Sequence, residues 1–275
     1  MFAFFPHYQF DSVTILDPMY GEYAHIFENV LRKNVQRVSQ KPECDFRITL
    51  DDVVASATSS DMVVMVNPNN PTGQYLKGDQ MIDLLKKLPE HTVLVVDETY
   101  IDFVGMDESV ERLVVDHKNL IVLKSMSKIY ALSGARVGYL AAHVDVIELI
   151  RAYIPPWSVS LVGQVAAVEA LKSEVYYKER IAQTHKFSYD FSQKLEGIPG
   201  LTVYPSCANF ILLGIKDTGK NARQICAEIN KQNIYIRNAT SMSSQFNQDF
   251  IRIAVRDRDS NKKIYAALQG ALGNG

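Results

Sequence analysis

Cysteine is scarce in this 275-residue chain: Cys44, Cys207 and Cys226 are an odd three with no CxxC pair. That suggests neither a disulfide framework nor a zinc site, and fits a reducing cytoplasm. The six histidines (His7, His25, His91, His117, His143, His185) are scattered without metal-ligand spacing, so no metal is expected. Neither sign of charge is in excess, with 29 Lys plus Arg against 31 Asp plus Glu. The charge balance therefore gives no case for nucleic acid or an anionic membrane, although a few local arginines can still bind a small anion. No apolar run reaches transmembrane length. The opening Met1-Phe-Ala-Phe-Phe-Pro6 lacks the basic flank and extended apolar stretch of a signal peptide and reads as the tail of an element whose beginning is missing. Internal repeats, low-complexity tracts and Pro/Gly-rich linkers are also missing.

What is present is an alternation of strand-like and helix-like runs. Ser12–Leu16, Met62–Val66, Val93–Val96, Leu120–Lys124 and Val137–Ala141 read as strands; Glu22–Leu31 and Gln80–Leu88 read as helices. β-branched runs buried on both faces and spaced by helices predict a mostly parallel sheet flanked by helices, an α/β architecture. From Val159 to about Leu195 the pattern is helical. Strands at Leu201–Val203, Asn209–Leu213, Ile234–Ile236 and Phe250–Val255 follow, with helices at Ala222–Asn230 and Asn261–Leu272. This predicts two domains, 1–170 and a smaller α+β domain at 171–275.

Three segments follow strands directly, where open α/β sheets place their ligands. Asn67-Pro-Asn-Asn-Pro-Thr-Gly73 has two prolines that fix the backbone and amides at Asn69 and Asn70; a plain turn is its structural alternative. In Val93-Leu-Val-Val-Asp97-Glu98-Thr-Tyr100 a carboxylate ends an apolar strand, where it caps a turn or meets a ligand. In Leu123-Lys-Ser125-Met-Ser127-Lys128, continuing to Gly134-Ala-Arg136, two hydroxyls, a lysine and an arginine could cradle a phosphate.

Taken together in this order, the three segments resemble the fold-type-I pyridoxal-phosphate enzymes, the class I/II aminotransferase superfamily. The likeness is strongest in the branch of histidinol-phosphate aminotransferase and threonine-phosphate decarboxylase, and it runs from about Asp17 to the C-terminus. It implies the fold of the pyridoxal-phosphate transferases and the cofactor pyridoxal 5′-phosphate. Lys128 matches the lysine bonded to that cofactor and Asp97 the carboxylate that keeps its ring nitrogen protonated, and these two are the catalytic pair. Asn70 and Tyr100 match the donors to the ring hydroxyl; Ser125, Ser127 and Arg136 match the phosphate cradle. Tyr20, in Pro18-Met-Tyr-Gly-Glu-Tyr23, matches the aromatic stacked on the ring. Arg252, in Phe250-Ile-Arg-Ile-Ala-Val255, matches the arginine on the substrate carboxylate, and Arg237 the position that contacts a substrate phosphate. The resemblance also implies a homodimer and an amino acid and a 2-oxoacid as substrates.

One family feature has no match here: the segment that precedes these motifs and gives backbone N–H groups to the cofactor phosphate. The large domain is therefore expected to be N-terminally incomplete. The reading chosen is an aminotransferase of the histidinol-phosphate-like branch, with threonine-phosphate decarboxylase second and a non-catalytic relic of the fold third. Pro155-Pro-Trp157-Ser-Val-Ser160 and Ile253-Ala-Val-Arg256 lean toward the decarboxylase. Two motifs from other classes fail. Gly214-Ile-Lys-Asp-Thr-Gly219-Lys220-Asn221 mimics a P-loop but lacks the hydroxyl needed for magnesium, and Ser125-Met-Ser-Lys128 lacks the companion motifs of penicillin-binding enzymes.

Overall fold

The structure, a computed structural model, describes residue 1 and residues 4–273. Phe2 and Ala3, part of the apolar opening run, lie outside the described residues. The first unit is built from β1 (Ser12–Asp17), α1 (Gly21–Ala24), β2 (Asn34–Ser39), α2 (Leu50–Ala57), β3 (Met62–Val66), α3 (Gly78–Lys87), β4 (Val93–Asp97), β5 (Leu120–Ser125), β6 (Gly138–Ala142) and α4 (Val144–Arg151). Its six strands run in the order β2-β1-β3-β4-β5-β6, all parallel except the antiparallel β5–β6 pair. β3 and β4 are buried along their whole length, as continuous Met/Val/Leu runs flanked on both faces require.

Two helices, α5 (Leu161–Lys172) and α6 (Glu174–Leu195), lead to a second sheet. That sheet contains β7 (Leu201–Val203), β8 (Phe210–Ile215), β9 (Arg237–Asn238) and β10 (Phe250–Ala254) in the antiparallel order β7-β8-β10-β9. Helices α7 (Ala222–Asn230) and α8 (Arg258–Gly273) pack on it around Ile211, Leu213, Ile225 and Ile251. α6 touches both units: Tyr177 meets Tyr130 edge-on at 4.9 Å, while Phe191 and Leu195 join the second core.

Several elements differ from the sequence expectation. β2, α2 and α4 were not foreseen. The stretch expected as one helix over Glu22–Leu31 is an α-helical turn followed by a π-helical segment, His25–Val30, which ends with Leu31 N donating to Ile26 O at 2.8 Å. The strand expected at Ile234–Ile236 is displaced: those isoleucines pack on the second core, but pairing with β10 begins at Arg237. The P-loop-like lysine, Lys220, is tied to Glu228 at 3.0 Å and to the Ala271 carbonyl at 2.7 Å, which fastens α7 to α8.

α5 inverts the usual amphipathic logic. It buries Gly163, Ala167 and Ala170 and exposes Leu161, Val162, Val165, Val168 and Leu171. Trp157, just before it, is 94% exposed. Among the described residues, β6 pairs with β5 alone, so its other edge is open, and it carries no charged residue to protect that edge. No helix among the described residues is long and apolar enough to cross a membrane.

Candidate active site

The first sheet holds its strand ends at one level. Val66 is in register with Asp97 and Asp97 with Leu123. The ladder continues one step beyond β3 and β4: Asn67 N donates to Asp97 O and Glu98 N to Leu123 O, both at 2.9 Å. Residues 67–70, 97–100 and 125–128 therefore open onto the same edge of the sheet.

Within the first loop the asparagines divide their work. Asn67 closes the loop on Leu76, its Oδ1 accepting from Leu76 N at 2.8 Å and its Nδ2 donating to Leu76 O at 2.9 Å. Asn69, whose amide the sequence offers as a donor beside that of Asn70, is fully buried, and that amide donates to Pro18 O at 2.9 Å and to Thr72 Oγ1 at 3.1 Å. Asn70 alone reaches across to the second unit, where its Oδ1 accepts from Arg252 Nη1. Gly73, at φ +70°, brings the loop against Ser206, where a Cβ would lie 2.7 Å from that residue's Cα. Its carbonyl accepts from Cys207 N at 3.1 Å, so the two units are clasped beside the cleft.

Asp97, only 8% exposed, accepts three bonds: Tyr23 Oη to Oδ2 at 2.6 Å, and Thr99 N and Oγ1 to Oδ1 at 2.9 and 2.5 Å. All these donors are neutral, and no cation is salt-bridged to Asp97 among the described residues. Tyr100 is buried edge-on against Phe210 at 5.1 Å. Burial pushes its hydroxyl up to about 12, with Asp97 and Tyr20 adding to the rise and Arg252 opposing it. Tyr20 stands at the mouth, more than a third exposed and edge-on to Tyr23 at 6.3 Å. Burial, then Glu22 and Asp97, raise its pKa, while Arg136 and Arg252 act the other way.

Lys128 lies in the turn after β5, where Ser127 N donates to Ser125 Oγ at 3.3 Å. Its pKa is lowered from the usual lysine value by desolvation first, then by the positive charges of Arg252 and Arg136. Arg136 sits on the exposed rim in a left-handed conformation at φ 55°, with Nη1 donating to Ser133 O at 3.0 Å. Arg252 is over the Phe210 ring at 5.2 Å. Arg237 is its direct cross-strand neighbour, and opposite residues of an antiparallel pair project from the same face. Burial and Arg237 lower the Arg252 pKa.

Charge interactions thus link Tyr20 with Asp97, Arg136 and Arg252, Tyr100 with Asp97, Tyr20 and Arg252, Lys128 with Arg136 and Arg252, and Arg252 with Arg237, while Asn70 is bonded to Arg252. Two participants went unnoticed in the sequence, Tyr23 and Thr99. A second polar cluster lies just behind: Lys124 is buried against Glu98 at 2.6 Å, with Glu111 at 3.3 Å and Ser109 Oγ at 3.1 Å.

The family model for aminotransferase class I and II matches residues 1–268. The chain is 31% identical over 229 residues to a histidinol-phosphate aminotransferase of Bacillus licheniformis, covering 81% of this chain and 61% of that protein. It therefore spans less than two thirds of that relative's length. Among solved structures it resembles the histidinol-phosphate aminotransferase of Clostridium acetobutylicum (TM-score 0.89, 25% identity, covering 97% of this chain and 79% of the other). It also resembles the L-threonine-O-3-phosphate decarboxylase of Porphyromonas gingivalis (TM-score 0.81, 25% identity, 96% and 78%).

Proposed function

The chain belongs to the class I and II aminotransferases, and from that premise we propose that it is a pyridoxal-phosphate-dependent aminotransferase. It would move an amino group between an amino acid or amino-alcohol phosphate, of the histidinol-phosphate kind, and a 2-oxoacid. The observation that carries the substrate class is the arginine pair. Arg237 and Arg252 are adjacent on β9 and β10, and no carboxylate is salt-bridged to either among the described residues. Like charges directly opposite on paired strands repel, so the pair is suited to anionic groups: Arg252 for a carboxylate and Arg237 for a phosphate.

The residues fit the cofactor. Asp97 is a buried carboxylate whose hydrogen-bond donors are all neutral, and a protonated ring nitrogen would supply the missing positive charge. Lys128 would bond to the cofactor's aldehyde carbon. Asn70 and Tyr100 would hold the ring hydroxyl, Ser125, Ser127 and Arg136 the phosphate, and Tyr20 one face of the ring. When bound, the cofactor supplies an electron sink for negative charge developing at the substrate's Cα. Lys128 moves the proton at that carbon, and its lowered pKa favours the uncharged amine that this needs. Arg252, fixed by Asn70 and Phe210, holds the carboxylate so that the reacting bond keeps its place relative to Lys128.

On this reading residues 1–170 carry the cofactor and 171–275 close over the substrate. The exposed aliphatic face of α5 supports pairing with a second copy of the chain, and three free thiols suit the cytoplasm. A second reading, decarboxylation of threonine phosphate, is supported by the Porphyromonas likeness, since the arginine pair would take the carboxylate and the phosphate of one molecule. Product analysis separates the two: carbonyl product that depends on an added 2-oxoacid supports transamination, and carbon dioxide from phosphothreonine supports decarboxylation. A chain that gains no cofactor mass at Lys128 on borohydride reduction is a non-catalytic relic, and both readings fail.

A further inference from the structure

We propose that Tyr23 is a positioning residue for Asp97, one that keeps the carboxylate ionised and so retains the proton on the ring nitrogen that Asp97 faces. The proposal rests on the pyridoxal-phosphate reading above. An ionised carboxylate offers about four acceptor sites, two on each oxygen. Thr99 fills both on Oδ1, through its N–H at 2.9 Å and its hydroxyl at 2.5 Å. Oδ2 takes the Tyr23 hydroxyl at 2.6 Å and keeps one site. A cationic N–H arriving at Asp97 therefore shares Oδ2 with Tyr23.

The phenol has no room to swing away. Tyr23 is fully buried, edge-on to Phe5 at 6.1 Å and to Tyr20 at 6.3 Å, and stacked on Phe27 at 6.4 Å. It also remains a donor at any working pH, because burial, then the charge of Asp97 and the hydrogen bond itself, push its pKa well above that of an ordinary phenol. A donor to a carboxylate stabilises the charged form over the neutral one. Tyr23 thereby opposes transfer of the ring proton onto Oδ2, and the ring keeps its electron-withdrawing strength. Tyr20, at the head of the same helical turn, ties the ring-face aromatic to this anchor.

The test uses the full chain loaded with pyridoxal phosphate carrying nitrogen-15 in the ring. The place of the proton, on the ring nitrogen or on Asp97, is read at neutral pH from the nitrogen-15 shift and the one-bond N–H coupling. In Tyr23→Phe the equilibrium between the two sites moves about tenfold toward Asp97, the equivalent of one charge-assisted hydrogen bond. kcat drops in the same direction, while KM for the amino substrate holds near the wild-type value. Incorporation of 3,5-difluorotyrosine at position 23, a stronger donor of nearly the same shape, moves the nitrogen-15 signal toward the fully protonated value and carries the test alone if Tyr23→Phe fails to fold. A nitrogen-15 signal that moves with neither change overturns the proposal, as does a KM effect without a kcat effect. A wild-type chain that binds no cofactor, or holds it unprotonated at neutral pH, overturns the parent reading as well.

Discussion

Replacing Arg237 by Met should leave the fold intact or slightly firmer while removing affinity for phosphate. Arg237 is exposed, makes no salt bridge among the described residues, and faces Arg252 directly across the β9–β10 ladder. At a separation on the order of 7 Å and an effective dielectric of roughly 40 to 80, two positive charges repel by about 0.6 to 1.2 kcal/mol. Salt screening at an exposed position reduces that to about 0.5 kcal/mol. For a chain of this size the gain raises the unfolding midpoint by about 1 to 2 °C. Against that, a charge-assisted hydrogen bond to a phosphate contributes about 1.5 to 3 kcal/mol, so phosphate binding should weaken by roughly one to two powers of ten. Calorimetric unfolding with and without inorganic phosphate reads both quantities. Wild type should be stabilised by phosphate, and Arg237→Met should start slightly higher and respond weakly. A variant several degrees less stable, or one with an undiminished phosphate response, would refute the assignment of Arg237 as an anion ligand, because it would then be a structural residue.

Lys128→Met should abolish turnover and raise stability at neutral pH. The folded-state pKa of Lys128 is lowered, so folding disfavours its protonated form; the penalty is fully present below the folded pKa and is relieved as pH rises toward the unfolded value. Urea midpoints of wild type should therefore climb from pH 8 to pH 10 relative to those of Lys128→Met, and parallel curves would show that the shift is not real. Glu98→Ala removes the main partner of buried Lys124 and should destabilise by about 3 kcal/mol, the low end for a broken buried pair because Glu111 remains at 3.3 Å. An equilibrium urea titration that finds less than about 1 kcal/mol would mean that the pair is solvated. Val165→Glu places a charge in the exposed aliphatic stripe of α5; light scattering should find a dimeric wild type and a monomeric variant, and an unchanged mass would show that this stripe is not where two copies meet.

The central strands could be read from the sequence because burial on both faces leaves an unbroken apolar run, as in Met62-Val-Val-Met-Val66 and Val93-Leu-Val-Val96. β2 escaped the same reading for a physical reason. It is an edge strand whose Gln36 and Arg37 bond outward to Ser59 and Glu28, and such polar dressing protects an edge while erasing the periodic signal. The displaced β9 is a milder case. Alternating Ile234 and Ile236 correctly mark inward-facing positions, but burial does not decide which residues pair with a neighbour, and the ladder to β10 forms at Arg237 and Asn238.

The cleft residues divide along a similar line. Lys128, Asp97 and Arg252 were singled out through the resemblance of their motifs to the pyridoxal-phosphate enzymes; taken alone, a lysine after a strand is usually solvated and an aspartate at a strand end more often caps a turn. Tyr23 gave no such signal. Its aromatic ring suits the packing against Phe5 and Phe27, so sequence alone offers a core residue. What distinguishes it is the hydroxyl, whose acceptor lies 74 residues away at the end of β4. A buried tyrosine must pair its O–H with something, and a phenylalanine would pack here equally well. The hydroxyl is therefore the informative atom, and it points at Asp97, whose remaining acceptor site lies on the same oxygen.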